Sequence, residues 1–98
     1  MPIQFYSNLS SKSGQGSVTT SGTGTPYVAL ASQPCNSVTI INATGQSLDV
    51  TKDGGTTKIV LPTGASFNFE NIANANVVSV RRTDQSTTAV TAYYNWCN

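Results

Sequence analysis

Few side chains in this sequence of 98 residues are of the types that perform acid, base or nucleophilic chemistry. Histidine is absent, which excludes histidine-activated nucleophiles and imidazole metal ligands. The four carboxylates, each in a segment typical of a polar strand face or a turn, are Asp49, Asp53, Glu70 and Asp84. We therefore predict a non-enzymatic protein with no catalytic residues, no metal site and no cofactor. A hydrolase that pairs carboxylates from distant strands is the alternative.

Two cysteines, Cys35 and Cys97, bear on redox chemistry. A bond between them would join the start of the folded region to its end. In the loop-entropy picture, closing a loop of about 62 residues contributes on the order of 4 kcal/mol when the geometry is unstrained. In a reducing cytoplasm both thiols stay free instead. The sequence leaves a disulfide and a pair of free thiols as open alternatives.

Aromatic residues are concentrated near the C-terminus. Strand alternation places Tyr94 and Trp96 on the same face as Val90, toward a core, and turns Tyr93 to the opposite face. We predict that Tyr93 is a surface aromatic suited to an interface, with Tyr27 as a second one if the first and last strands pair. Such rings beside amide groups also suit stacking on sugars, so a carbohydrate-binding or receptor-binding head is an alternative function.

The first 25 residues differ from the remainder in composition. Residues 12–25 (KSGQGSVTTSGTGT) contain one apolar residue, Val18, and are predicted to form a flexible or extended arm that cannot order itself. An apolar cluster of Ile3, Phe5 and Tyr6 lies at its tip. A tether of about 20 residues spans up to roughly 60 Å. We predict that Ile3, Phe5, Tyr6 and Val18 contact a neighbouring subunit by filling a groove or adding a strand, the alternative being a disordered tail.

Residues 26–98 alternate apolar and polar positions with the period of β-strands. The predicted strands cover residues 27–31, 37–42, 47–52, 57–61, 65–70, the segment around Val78 and Val80, and the segment from Val90 to Trp96. The sequence KDGG at 52–55 predicts a hairpin turn. About seven short strands with turn signals every 8–12 residues predict an all-β domain, a small antiparallel β-sandwich or barrel.

Charge is scarce in this chain. Charged residues make up 9% of the sequence and the net charge is +1, against about 25% charged residues in ordinary soluble domains. We therefore expect no nucleic-acid partner. Ser, Thr, Asn and Gln together outnumber the hydrophobic residues, a composition that suits permanent contacts. The sequence shows neither a signal peptide nor an apolar stretch of about 20 residues, so we expect synthesis in a cytoplasm and no membrane partner.

These features resemble small virion proteins of tailed bacteriophages, namely capsid decoration or cement proteins and adaptor segments of fibres. The resemblance is carried by residues 38–50 (VTIINATGQSLDV), by residues 61–67 (LPTGASF) and by the apolar N-terminal peptide on its arm. It implies a structural protein located in the virion, which stabilises the particle by binding other virion proteins such as the major capsid protein. It also implies self-association, for which a trimer is one form. A tail, neck or fibre adaptor is the alternative location.

Overall fold

Eight β-strands form the framework of the protein in a computed structural model that describes residues 12–98. The strands are β1 (Ser13–Thr19), β2 (Val28–Ala29), β3 (Ser37–Ile41), β4 (Leu48–Thr51), β5 (Ile59–Leu61), β6 (Ser66–Glu70), β7 (Ser79–Arg82) and β8 (Thr91–Cys97). Within residues 12–98 the one helical element is a 3-10 turn, Ala75–Val77, and no helix there is long and apolar enough to cross a membrane.

The strands form two antiparallel sheets of four strands each. The first sheet has the order β1-β8-β3-β6 and the second has the order β2-β7-β4-β5. Strand β1 pairs with β8, β2 with β7, β3 with β6 and β4 with β5. This is a ribbon of four strand pairs rolled into two sheets, which is the jelly-roll topology. The predicted all-β antiparallel sandwich is therefore confirmed, with one strand more than the predicted number.

The hydrophobic core lies between the two sheets. Val38 and Ile40 of β3 face Leu48 and Val50 of β4 across the sandwich, and all four side chains are fully buried. Their strands were predicted from alternation, which identifies the inward face because successive side chains point to opposite sides. The predicted hairpin turn also forms, since Gly54 and Gly55 adopt positive φ angles of 75° and 98° between β4 and β5.

Strand β1 departs from the sequence-based prediction. The prediction of a flexible arm is wrong for residues 13–19, which pair along their whole length with β8. The inward positions of β1 are Gly14, Gly16 and Val18, and a Cβ at Gly14 would lie 2.7 Å from the Trp96 ring, while one at Gly16 would overlap Tyr94. The glycines therefore leave room for two aromatic rings, which cover the strand from β8. The boundary predicted at residue 25 falls inside the folded domain.

The location of Val18 also differs from the prediction. It was predicted as an interface residue of the arm, but its side chain is buried in the core of its own domain. The other predicted arm residues, Ile3, Phe5 and Tyr6, lie outside the described residues.

Candidate interaction surfaces

The outer side of the first sheet is a broad polar surface, which we call the amide face. It consists of the outward-pointing residues of the four strands, all exposed or half-buried: Ser13, Gln15, Ser17, Thr19, Thr91, Tyr93, Asn95, Cys97, Ser37, Thr39, Ile41, Ser66, Asn68 and Glu70. Glu70 is its single carboxylate, and it has no lysine or arginine. The face therefore presents hydroxyl and amide groups on a rigid sheet with almost no formal charge.

The side chains of the amide face form rows across the strands. In one row Gln15, Asn95, Thr39 and Asn68 are register partners on β1, β8, β3 and β6. The Thr39 hydroxyl donates to Oδ1 of Asn68 at 2.9 Å, and Nδ2 of Asn68 donates to Glu70 at 2.9 Å. These bonds hold part of the row in place, so the face offers hydrogen-bonding groups in a fixed pattern.

Tyr93 lies in the middle of this face. Its side chain is 58% exposed, whereas Tyr94 is buried in the core and Trp96 is packed against it. The opposite orientations predicted for Tyr93 and for the other two rings are therefore observed. Ser17 and Ile41 are its partners on the adjacent strands. Tyr93 thus supplies the most exposed apolar contact of a mainly polar surface, with the half-buried Ile41 beside it.

A second surface is a groove between the two sheets, which we call the edge groove. It has a volume of about 350 Å³ and lies where edge strands β5 and β6 face each other. Its apolar lining consists of Val50, Ile59, Phe67 and Phe69, and its polar lining includes Lys52, Asp53, Thr57 and Glu70. Ile59 and Phe67 are only half-buried. The groove therefore leaves part of the core accessible at one side of the sandwich.

A buried ion cluster lies on the outer side of the second sheet. The Asp49 carboxylate is completely buried and accepts hydrogen bonds from Arg81 at 3.0 Å, Lys58 at 3.3 Å and Thr83 at 2.8 Å. Burial by itself raises the pKa of Asp49, but the hydrogen bonds from Arg81, Thr83 and Lys58 outweigh it and hold the pKa below its ordinary value. Every acceptor atom of this carboxylate is used within the fold, so we assign the cluster a structural role.

Tyr27 belongs to this cluster and not to the amide face. The Arg81 guanidinium lies 4.4 Å from the centre of the Tyr27 ring, a cation-π distance, and Arg81 also donates to the carbonyl oxygen of Thr25 at 3.2 Å. The prediction for Tyr27 required the strand at residues 27–31 to pair with the last strand. That strand, β2, pairs with β7 instead, and Tyr27 is half-buried beside the second sheet. The structure therefore does not bring Tyr27 and Tyr93 together.

The two cysteines differ in environment. Both thiols are free, with Cys35 buried in the core and Cys97 exposed on the amide face. Burial raises the pKa of the Cys35 thiol, and the nearby Cys97 adds to this shift. The backbone joins the two regions, because the Asn36 N–H donates to the Cys97 carbonyl oxygen at 2.8 Å.

Neither the amide face nor the edge groove was predicted from the sequence as a continuous surface. The outward positions of β3, β6 and β8 were visible as the polar half of each alternating strand, but nothing local indicated that these strands are neighbours. The residues that β1 contributes were not recognised, because glycines at its inward positions remove the alternation of apolar and polar residues. A signal was present, because Gly14, Gly16 and Val18 repeat with the same period of two as Ala92, Tyr94 and Trp96. The edge groove depends on sheet order and left no comparable signal.

Neither a family model nor a curated protein sequence matches this chain. Similar solved structures include a de novo designed double-stranded β-helix, with 18% identity and a TM-score of 0.51 over 89% of this chain and 99% of the designed one. They also include a structure of Bacillus endospore appendages, described as disulfide-linked pili, with 16% identity, a TM-score of 0.48 and coverage of 99% and 95%. A cupin superfamily protein from Desulfitobacterium hafniense shows 8% identity, a TM-score of 0.46 and coverage of 96% and 82%. The likeness to the designed protein concerns the fold alone.

Proposed function

We propose that the chain is a non-enzymatic structural subunit of a phage virion, a capsid decoration or cement protein that binds neighbouring virion proteins through the amide face. The observation that carries this proposal is the composition of that face. It combines the 58% exposed ring of Tyr93 with hydroxyl and amide groups, and Glu70 is its one carboxylate. Depletion of charge around an exposed tyrosine is typical of the buried centre of protein interfaces.

Binding through the amide face costs little conformational entropy. Residues on paired strands are already ordered, so burying them in an interface loses less conformational entropy than ordering a loop. Tyrosine supplies a large contact area with few rotatable bonds, and Ser and Asn supply adaptable hydrogen bonds. The jelly roll occurs in viral capsid proteins as well as in lectins and cupins, an analogy at the level of fold.

Stabilisation of the particle follows from mass action. A subunit that binds the assembled shell but not its separated proteins shifts the equilibrium toward the shell, by an amount that grows with subunit concentration. Many copies of one modest contact then act together. We assign this contact to the amide face and not to a flexible arm, because residues 13–19, which were expected in the arm, form a strand of the sheet.

The test is the composition of purified particles. Quantitative mass spectrometry of gradient-purified virions should find this chain at a fixed ratio to the major capsid protein. Purified chain should also bind particles that lack it, and Tyr93→Ala should weaken that binding at least about tenfold. Val77→Ala removes an exposed apolar side chain outside the amide face and serves as the control. Absence of the chain from virions would refute the proposal.

A carbohydrate-binding module is the second candidate function. It is favoured by Tyr93 itself, an exposed ring with the amide of Asn95 on the same strand face. On a glycan array, a sugar-binding module should give a signal that disappears in Tyr93→Ala. A decoration subunit should give no signal that depends on Tyr93.

A further inference from the structure

We propose that the edge groove binds the N-terminal segment of a second copy of this chain, with Ile3 and Phe5 seated on the apolar lining. This inference rests on the proposed role as an assembly subunit and assigns a partner to the edge groove, which shares only Asn68 and Glu70 with the amide face. The result is a pair of chains that exchange their first residues.

The groove has the features of a site that accepts an added strand. Strand β5 pairs only with β4, and β6 pairs only with β3, so each leaves one side of its backbone unpaired within the described fold. Ile59 and Phe67 lie beneath these edges and are only half-buried. A peptide in extended form gains backbone hydrogen bonds from such an edge and places alternate side chains in the apolar gap.

The two ends of the groove are bridged by different side chains, one buried and one exposed. At one end the buried Asn42 joins the strands, since its Nδ2 donates to the Leu61 carbonyl oxygen at 2.8 Å and its backbone N–H donates to Ala65 at 3.0 Å. At the other end the bridge is the exposed side chain of Lys52, whose Nζ donates to the Glu70 carbonyl oxygen at 3.3 Å. A peptide displaces an exposed lysine more readily than the buried Asn42, so we infer that it enters from the end of the sandwich at which Glu70 lies.

The sequence that precedes β1 matches this groove in chemistry. Residues 2–11 (PIQFYSNLSS) contain no charged side chain. Ile3 and Phe5 are two positions apart, so both project to the same side of an extended segment, and Gln4 projects to the other side. Two large apolar side chains on one side fit an apolar lining that the chain leaves partly uncovered.

Strand register fixes where β1 begins relative to the groove. Ser13, Cys97, Ser37 and Glu70 are successive partners across the first sheet, so β1 begins at the same end of the fold at which the peptide enters the groove. Three strand spacings separate Ser13 from Glu70, about 14 Å. Eleven extended residues span about 36 Å, so the segment is long enough to reach a groove of either copy.

Strand direction favours the groove of a second copy. At Ser13 the direction of β1 points out of this end of the sheet. To place Phe5 in the groove of the same molecule, the seven residues between Phe5 and Ser13 would have to make a full reversal and the crossing of about 14 Å. A second copy placed end to end receives the segment without a reversal. Because the segment and the groove entry share one end of each molecule, the exchange is reciprocal about a two-fold axis and closes as a dimer.

The first experiment locates Phe5 in the full-length protein. The photoreactive analogue p-benzoylphenylalanine replaces Phe5, unlabelled and ¹⁵N-labelled copies are mixed and irradiated, and the cross-linked peptides are identified by mass spectrometry. We expect mixed-isotope pairs that join residue 5 to the segments lining the groove, residues 50–59 and 67–70. The same analogue at Gln15, on the amide face, should not label the groove. Cross-links confined to one isotope, or attached elsewhere, would overturn the proposal.

The second experiment measures the dimer itself by light scattering across a dilution series. Phe5→Asp should raise the dissociation constant of the dimer at least about tenfold, because a carboxylate is excluded from an apolar site. Gln4→Asp adds the same charge on the opposite side of the segment and should change it less than about threefold. Equal effects of the two substitutions would contradict the proposal. Virion composition is measured separately, so the proposed function survives or fails independently of the groove.

Discussion

At the scale of single residues, Asp49 determines how the fold responds to acid. Its pKa in the folded protein lies below the ordinary value for aspartate, about 3.9. A lowered folded pKa means that ionised Asp49 stabilises the fold above that ordinary value, and that this contribution disappears as the pH falls toward the folded pKa. Asp84 acts in the same direction, because hydrogen bonds from Arg82 lower its pKa.

Asp49→Asn should therefore reduce both stability and its dependence on pH. Because the substitution leaves Arg81 without its buried partner, we expect a loss of about 3 kcal/mol at neutral pH. Between pH 6 and about pH 3, the variant should lose less further stability than the wild type. Urea unfolding at several pH values measures both effects. Parallel pH profiles for the two proteins would contradict the role assigned to Asp49.

Asn42 is a second residue whose side chain holds the fold together. It is completely buried, its Nδ2 donates to the carbonyl oxygens of Gln46 and Leu61 at 2.8 Å, and its Oδ1 accepts from the Thr44 hydroxyl at 2.8 Å. Asn42→Ala should lower the free energy of unfolding by about 2–3 kcal/mol, because it leaves a buried carbonyl unpaired. Asn68→Ala, the same change on the exposed amide face, should cost less than about 0.5 kcal/mol. Urea denaturation distinguishes the two.

Among the strands, β1 is the one whose composition gives the least indication that it forms a stable, paired strand. Gly16→Val places a side chain where Tyr94 lies, so we expect a loss of about 1–3 kcal/mol from overpacking. Gln15→Val, on the outer side of the same strand, should change stability by less than about 0.5 kcal/mol. Thermal and urea unfolding of the two variants provide the measurement. Equal stabilities would mean that residues 13–19 do not pair with β8.

At the scale of the whole molecule, the shortage of charge predicts how association responds to salt. The net charge is +1 and the amide face carries one carboxylate, so little long-range attraction is available for ions to screen. Self-association should weaken less than about threefold when salt is raised from about 0.05 M to about 0.5 M. Light scattering at both salt concentrations checks this. A loss of tenfold or more would show that charge pairs dominate the contact.

Features that depend on local periodicity could be predicted from the order of the residues alone. Alternation identified the core positions of β3, β4 and β6, the inward Tyr94 and Trp96, the outward Tyr93, and the hairpin at Gly54 and Gly55. These could be predicted because the direction of a strand side chain is set by its immediate neighbours along the chain.

The choice of neighbouring strands depends on how the whole chain folds. A glycine strand became part of the sheet because rings from β8, more than seventy residues away in sequence, cover Gly14 and Gly16. The Asp49 cluster, the amide face and the edge groove likewise join residues from different strands. Strand order and register arise from pairing between distant segments, and local composition does not indicate which segments pair.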